Sequence, residues 1–130
     1  MKPLPLVLLL ALPLFAHAET WSSASSRDGD NWTVDTDSIQ AVTVSGKTMK
    51  QAVVRAKYKE VTEDMGRKYD ESRTTDVYDC TGKTSATREE QLLLAGTVVR
   101  KHATADDELE FIDIFPNTAS ADIAKVICGK

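Results

Sequence analysis

The sequence predicts an α+β fold: a small antiparallel β-sheet of about four to six strands, with a C-terminal α-helix tied to it by a disulfide bond. Three observations support this class. Apolar residues occupy every second position over residues 52–58, apolar residues recur at helical spacing over residues 119–127, and the chain contains two cysteines, Cys80 and Cys128. Alternation is typical of a strand with one face in water, whereas spacing at i, i+4 and i+7 is typical of one helix face.

The strands are assigned to β-branched or alternating segments that turn residues separate. Residues 39–44 and 48–58 flank a predicted turn at 45–47, and the even-numbered residues from 52 to 58 form one apolar face. A third strand is expected over residues 69–80. A short strand is also predicted before Asp35–Ser38, where Asp and Ser favour a turn.

The second half of the sheet is less clearly marked. Residues 84–95 contain good helix formers and also fit a strand. We favour the strand, because Gly96 and a β-branched segment after it indicate a hairpin. The polar residues 19–30 are interpreted as a lead-in and residues 59–68 as a charged loop. Residues 111–115 fit a short edge strand or the approach to a helix.

The C-terminal helix is predicted from its cap and its apolar face. Thr118 is the expected N-cap, and Asp122 in the first turn suits the positive end of the helix dipole. Gly129 is the expected C-cap. A disulfide between Cys80 and Cys128 would tie this helix to the strand that ends at Cys80.

The first 18 residues have the pattern of a signal peptide. Lys2 precedes a short apolar segment, and the segment ends in Ala16-His17-Ala18. Residues 19–130 are therefore expected to form a single exported domain, periplasmic or extracellular, in which a cysteine pair forms a disulfide. No cysteine lies near the cleavage site, so no lipid anchor is expected, and the apolar segment is too short for a membrane span.

The charge and the motifs exclude several classes of function. The net charge is −4, which disfavours nucleic acid as a partner. His102 is the only histidine after the signal segment, so no Ser-His-Asp triad can be assembled. We expect no enzymatic activity, no metal and no cofactor. The acidic segment Asp106–Glu110 is interpreted as a solvated loop, with a loose patch for a cation or a basic partner as the alternative.

Basic and aromatic residues give the main candidate binding surface. Eight Lys and Arg side chains lie between residues 47 and 73, and a docking surface for an acidic protein partner is one interpretation of them. An ordinary solvated face is the other. The candidate contacts are Lys57, Lys59, Arg67 and Lys68, together with Trp21. The polar surroundings of Trp21 are compatible with an exposed anchor, and a place in the core is the alternative.

Several segments, in their order and spacing, resemble the bacterial surface-adhesin protein E family. They are Trp21, the VDTDSI segment at 34–39, the YDC segment at 78–80, the GTVV segment at 96–99 and the FPNTASADIAKVIC segment at 115–128. The resemblance covers nearly all of residues 20–128. It implies a small antiparallel sheet with a disulfide-held C-terminal helix, and adhesion to host extracellular-matrix or serum proteins. The alternative function is that of a soluble periplasmic, envelope-associated protein without host contact.

Overall fold

The computed structural model describes residues 19–129 and shows one antiparallel sheet with a single C-terminal α-helix. The predicted signal peptide, residues 1–18, lies outside the described residues. The elements, in chain order, are β1 (Trp21–Arg27), β2 (Asp30–Val44), β3 (Lys47–Asp64), β4 (Arg67–Asp79), β5 (Thr84–Leu94), β6 (Thr97–Ala103), a 3₁₀ turn (Asp106–Glu108), β7 (Ile112–Asp113) and α1 (Ala119–Cys128). The predicted fold class is confirmed.

The sheet is a meander in which each strand pairs with the next one along the chain. The order is β1-β2-β3-β4-β5-β6, and the two-residue β7 pairs with β5 beyond the end of β6. Four of the hairpins have a two-residue turn whose second residue is glycine: Asp28-Gly29, Ser45-Gly46, Met65-Gly66 and Ala95-Gly96. Both residues of each turn have positive φ, as type I′ hairpin turns require.

Three local expectations are corrected by the structure. Residues 19–30 are not a polar lead-in, because Trp21–Arg27 forms edge strand β1 against β2. Residues 59–68 are not a loop, because β3 and β4 extend through them to the Met65-Gly66 turn. Asp35–Ser38 does not separate two strands; it lies within β2, at a shift in the register against β3. The strand interpretation of residues 84–95 is confirmed.

The main core lies between α1 and the sheet. Ile123 and Ile127 of α1 pack against Val34, Val54 and Tyr78, and all five side chains are buried. Burial of an aliphatic side chain of this size contributes about 1.5–3 kcal/mol. The helix therefore fixes one face of β1–β4 as the interior.

Polar contacts at one end and a disulfide bond at the other hold α1 in place. Asp122 accepts hydrogen bonds from the Ser25 hydroxyl at 2.7 Å and from the Arg27 guanidinium at 2.9 Å, and these contacts lower the pKa of its carboxyl. At the other end, the predicted disulfide joins Cys128 to Cys80, with Cα atoms 5.7 Å apart. The helix is thus held to β1 at its start and to the end of β4 at its finish.

A smaller core covers part of the opposite sheet face. Val44, Met49 and Val77 are buried there beneath Leu109 and Phe111, which come from the segment between β6 and α1. Val77 and Tyr78 are neighbours in β4, so they point to opposite faces. We call the face that carries Val77 the open face. It points away from α1, and Leu109 and Phe111 cover the part of it that holds the small core.

Candidate functional site

The open face carries one aromatic and three basic side chains close together. Val54 is buried under α1, so its neighbour Arg55, and Lys57 two residues on, point to the open face. The register places Arg73 of β4 directly opposite Arg55, and the ring of Trp21 from β1 contacts Arg55. We call Trp21, Arg55, Lys57 and Arg73 the open-face cluster.

The guanidinium groups of two arginines lie close to the Trp21 ring. The guanidinium carbon of Arg55 lies 4.3 Å from the ring centroid, and that of Arg73 lies 6.0 Å from it. The indole nitrogen donates a hydrogen bond to the Glu19 carboxylate at 3.1 Å, which orients the ring. A cation over a tryptophan ring is stabilised by about 0.5–2 kcal/mol. Both arginines are therefore positioned by an aromatic surface and not left as free surface side chains.

Acidic side chains neutralise this cluster only in part. The Arg73 Nε donates to the Glu71 carboxylate at 2.9 Å, and Glu71 also stands opposite Lys57 in the register. Arg55 has no ion-pair partner within residues 19–129, and its buried Nε finds no hydrogen-bond acceptor there. The three basic side chains of the cluster thus outnumber the two carboxylates bonded to it, those of Glu71 and Glu19, on a protein whose overall charge is negative.

The five predicted contact residues are divided between separate places. Trp21 and Lys57 lie in the open-face cluster. Lys59 lies beside the β1–β2 turn, where its backbone N–H donates to Asp30 at 2.9 Å. Arg67 and Lys68 lie at the β3–β4 tip, where the Arg67 guanidinium donates to the Val99 carbonyl of β6 at 3.1 Å. The structure therefore does not unite the four basic candidates in one patch.

The acidic segment Asp106–Glu110 is exposed, as the sequence predicts, and it contains a short helical turn and an ion pair. Its first residues form the 3₁₀ turn, and Asp106 pairs with the Arg88 guanidinium of β5 at 2.8 Å. Glu108 and Glu110 line a groove of about 670 Å³ beside the start of α1. Within residues 19–129, no group of three or more His, Cys, Asp or Glu side chains is arranged to hold a metal ion.

Asp76 is the most perturbed carboxyl of this groove. Burial raises its pKa to about 6, against hydrogen bonds from Thr74 and Thr87, and the nearby Glu90 raises it further. His102 also lines the groove; it is exposed and stands opposite Glu90 across the β5–β6 pair. The groove therefore holds a carboxyl that is neutral below about pH 6, with an exposed imidazole near it.

The sequence model of the surface-adhesin protein E family matches residues 21–129, from the first residue of β1 to the residue that follows α1. The chain belongs to the surface-adhesin protein E family. No curated protein and no solved structure gives a significant match. The match spans all seven strands, the helix and both cysteines, so the resemblance drawn from the sequence is confirmed, and the open-face cluster lies wholly within the matched region.

Membership of the surface-adhesin protein E family supports a protein-binding module and an exported location. It implies a binding role and not a catalytic one. Among residues 19–129, no helix is both long and apolar enough to cross a membrane.

Arg55 and Arg73 are the residues of this surface that sequence reasoning did not select. Alternation along β3 places Arg55 on the same exposed face as Lys57, although Arg55 is not among the candidate contacts chosen from the sequence. Arg73 could not be placed in the same way. An unbroken ladder starting from the Met65-Gly66 turn pairs Arg55 with Asp76, whereas the irregularity after Lys57 shifts the register and pairs Arg55 with Arg73.

Proposed function

We propose that the protein is an exported, non-enzymatic binding module that docks an acidic region of a partner protein on the open face of its sheet. The observation that carries this proposal is the open-face cluster: three basic side chains and a tryptophan on a sheet face that the helix leaves uncovered. Tryptophan and arginine are the residue types that most often dominate protein interfaces. The partner class that the family resemblance implies is host extracellular-matrix or serum protein.

The basic candidates take different parts in this proposal. Lys57 and Trp21 belong to the contact surface. Lys59, Arg67 and Lys68 lie outside it and attract the partner over a longer range, which affects the association rate more than the strength of the complex. Exposed charges of this kind are screened by salt, with a Debye length of about 8 Å at physiological ionic strength. Binding is therefore expected to weaken steeply as salt rises.

The experiment measures binding of the purified exported protein to immobilised matrix and serum proteins, at low and high salt. Lys57→Glu on the open face is compared with Lys125→Glu, which makes the same charge change on the exposed side of α1. We expect Lys57→Glu to abolish salt-sensitive binding and Lys125→Glu to leave it nearly unchanged. Equal effects of the two variants, or binding that is independent of salt, would contradict docking on the open face.

Location is tested separately, by protease and antibody access to intact cells with opened cells as the control. Access on intact cells is expected for a module that meets a host protein. Protection until the outer membrane is opened would refute host contact. It would favour the periplasmic alternative, with a partner in the cell envelope.

A further inference from the structure

Arg55 and Arg73 are like charges that stand directly opposite each other on neighbouring strands. Both belong to the regular part of the β3–β4 ladder, between the pairs Val54–Thr74 and Ala56–Ser72. Side chains directly opposite in an antiparallel pair are in contact range, and like charges there destabilise the sheet. This pairing therefore has a cost that the fold itself does not require, since either position could hold a neutral residue.

The neighbouring groups reduce this cost unequally. Glu71 is bonded to Arg73 at 2.9 Å, whereas Arg55 has only the Trp21 ring. A ring face stabilises a cation but does not satisfy the five N–H donors of a guanidinium. The buried Nε of Arg55 is without an acceptor among residues 19–129. Positive charge and terminal N–H donors thus remain on two arginines whose guanidinium groups lie near the same ring.

Resting on the proposed docking function, we propose that Arg55 and Arg73 form an anion subsite that accepts an Asp or Glu carboxylate of the partner protein. A carboxylate has the planar shape and charge that guanidinium groups bind through paired hydrogen bonds. One carboxylate beside the two groups offsets their mutual repulsion and accepts hydrogen bonds from their terminal N–H groups. Lys101, which continues the same row through Gln91 of β5, adds positive potential toward β6.

The test uses the full exported protein and two synthetic peptides, each acetylated and amidated at its ends. One alternates Asp and Glu with Gly, and the other carries Asn and Gln at the same positions. Binding is measured by calorimetry at about 50 mM salt, and the arginine Nε–H resonances are followed by NMR. We expect only the acidic peptide to bind and to shift the Arg55 and Arg73 resonances.

Variants locate the site. Arg55→Gln and Arg73→Gln are each expected to weaken binding about tenfold or more, as for a lost hydrogen bond between charged groups. Lys125→Gln, with the same charge change on α1, is expected to change it less than twofold. Arg55→Lys keeps the charge but not the planar donors, and an intermediate loss is expected. An unchanged far-UV circular dichroism spectrum and a cooperative urea unfolding curve verify that each variant is folded.

Three results would overturn the subsite. Equal losses in Lys125→Gln and the arginine variants would show that the peptide responds to diffuse charge. Sulfate that binds with the same affinity and the same losses would show a general anion site and not a carboxylate site. Resonance shifts confined to other arginines would place the ligand elsewhere. Failure of the docking proposal is distinct, because the subsite can bind the acidic peptide while no matrix or serum protein responds to Lys57→Glu.

Discussion

Replacement of Asp76 by asparagine is expected to stabilise the protein at neutral pH. Burial raises the pKa of Asp76 to about 6, from an ordinary value near 3.8. Because the folded state holds this proton more tightly than the unfolded state, stability falls as pH rises from about 4 to about 6 and then levels off. One pKa unit corresponds to about 1.4 kcal/mol, so the ionised carboxyl, which is only partly buried, costs at most about 3 kcal/mol at pH 7.

Asp76→Asn removes that cost and keeps an oxygen that can accept the Thr87 hydroxyl, now 3.1 Å from the carboxylate. The free energy of unfolding is therefore expected to rise by about 2–3 kcal/mol at pH 7.5. At pH 4 the two proteins should be nearly equal. The lowered pKa values of Asp79 and Asp122 act below this window, since they add stability that is lost only as pH falls below about 4.

The assay is urea unfolding of the oxidised protein at pH 4.0, 5.0, 6.0 and 7.5, followed by tryptophan fluorescence. Asp107→Asn, an exposed carboxyl of the 3₁₀ turn, is the matched control and should show the pH dependence of the unchanged protein. If Asp76→Asn keeps that dependence between pH 4 and 6, or loses stability at pH 7.5, then burial of Asp76 does not control stability in this range.

Further predictions concern the attachment of α1. Cys80→Ala with Cys128→Ala opens a link across a separation of 48 residues, and the loss expected from the chain-entropy model is about 4 kcal/mol; an unchanged urea midpoint would contradict it. Ile127→Ala empties a fully buried position and should cost about 3–4 kcal/mol, checked by the same unfolding curves. Thr118→Ala removes the acceptor of the Ala121 N–H and should cost about 1 kcal/mol, whereas Thr118→Ser should cost much less.

Local patterns were sufficient for the sheet class, the helix and its N-cap. Alternation along β3 correctly separates the buried positions 52, 54 and 56 from positions 53 and 55, which point to the other face. The missed edge strand β1 had a usable signal, because Asp28-Gly29 is among the strongest two-residue hairpin signals. Its serine-rich sequence has low intrinsic β preference, so the strand depends on pairing with β2 and on the Ser25 and Arg27 contacts to Asp122.

The candidate site was beyond local patterns, because it depends on strand register. The turn at Met65-Gly66 fixes the tip of the β3–β4 hairpin, but four residues of β3 after Lys57 face a single residue of β4. This irregularity shifts the pairing by an odd number of residues and so changes which side chains share a face. Arg55 thereby stands opposite Arg73 and not Asp76. Nothing in the local sequence of β3 marks the bulge.

The face of the sheet under α1 contributes much of the stability, whereas the open face is the proposed binding surface. The disulfide and the α1 core lie on one side, where each large contribution is of the order of several kcal/mol. Like charges opposite each other on the open face cost up to about 1 kcal/mol. This cost is smaller than each of the stabilising contributions on the other face. Loss of the disulfide should therefore lower the unfolding midpoint and leave affinity for an acidic peptide unchanged at temperatures where the variant stays folded. A parallel fall in affinity would mean that α1 shapes the open face, and that the two faces are not independent.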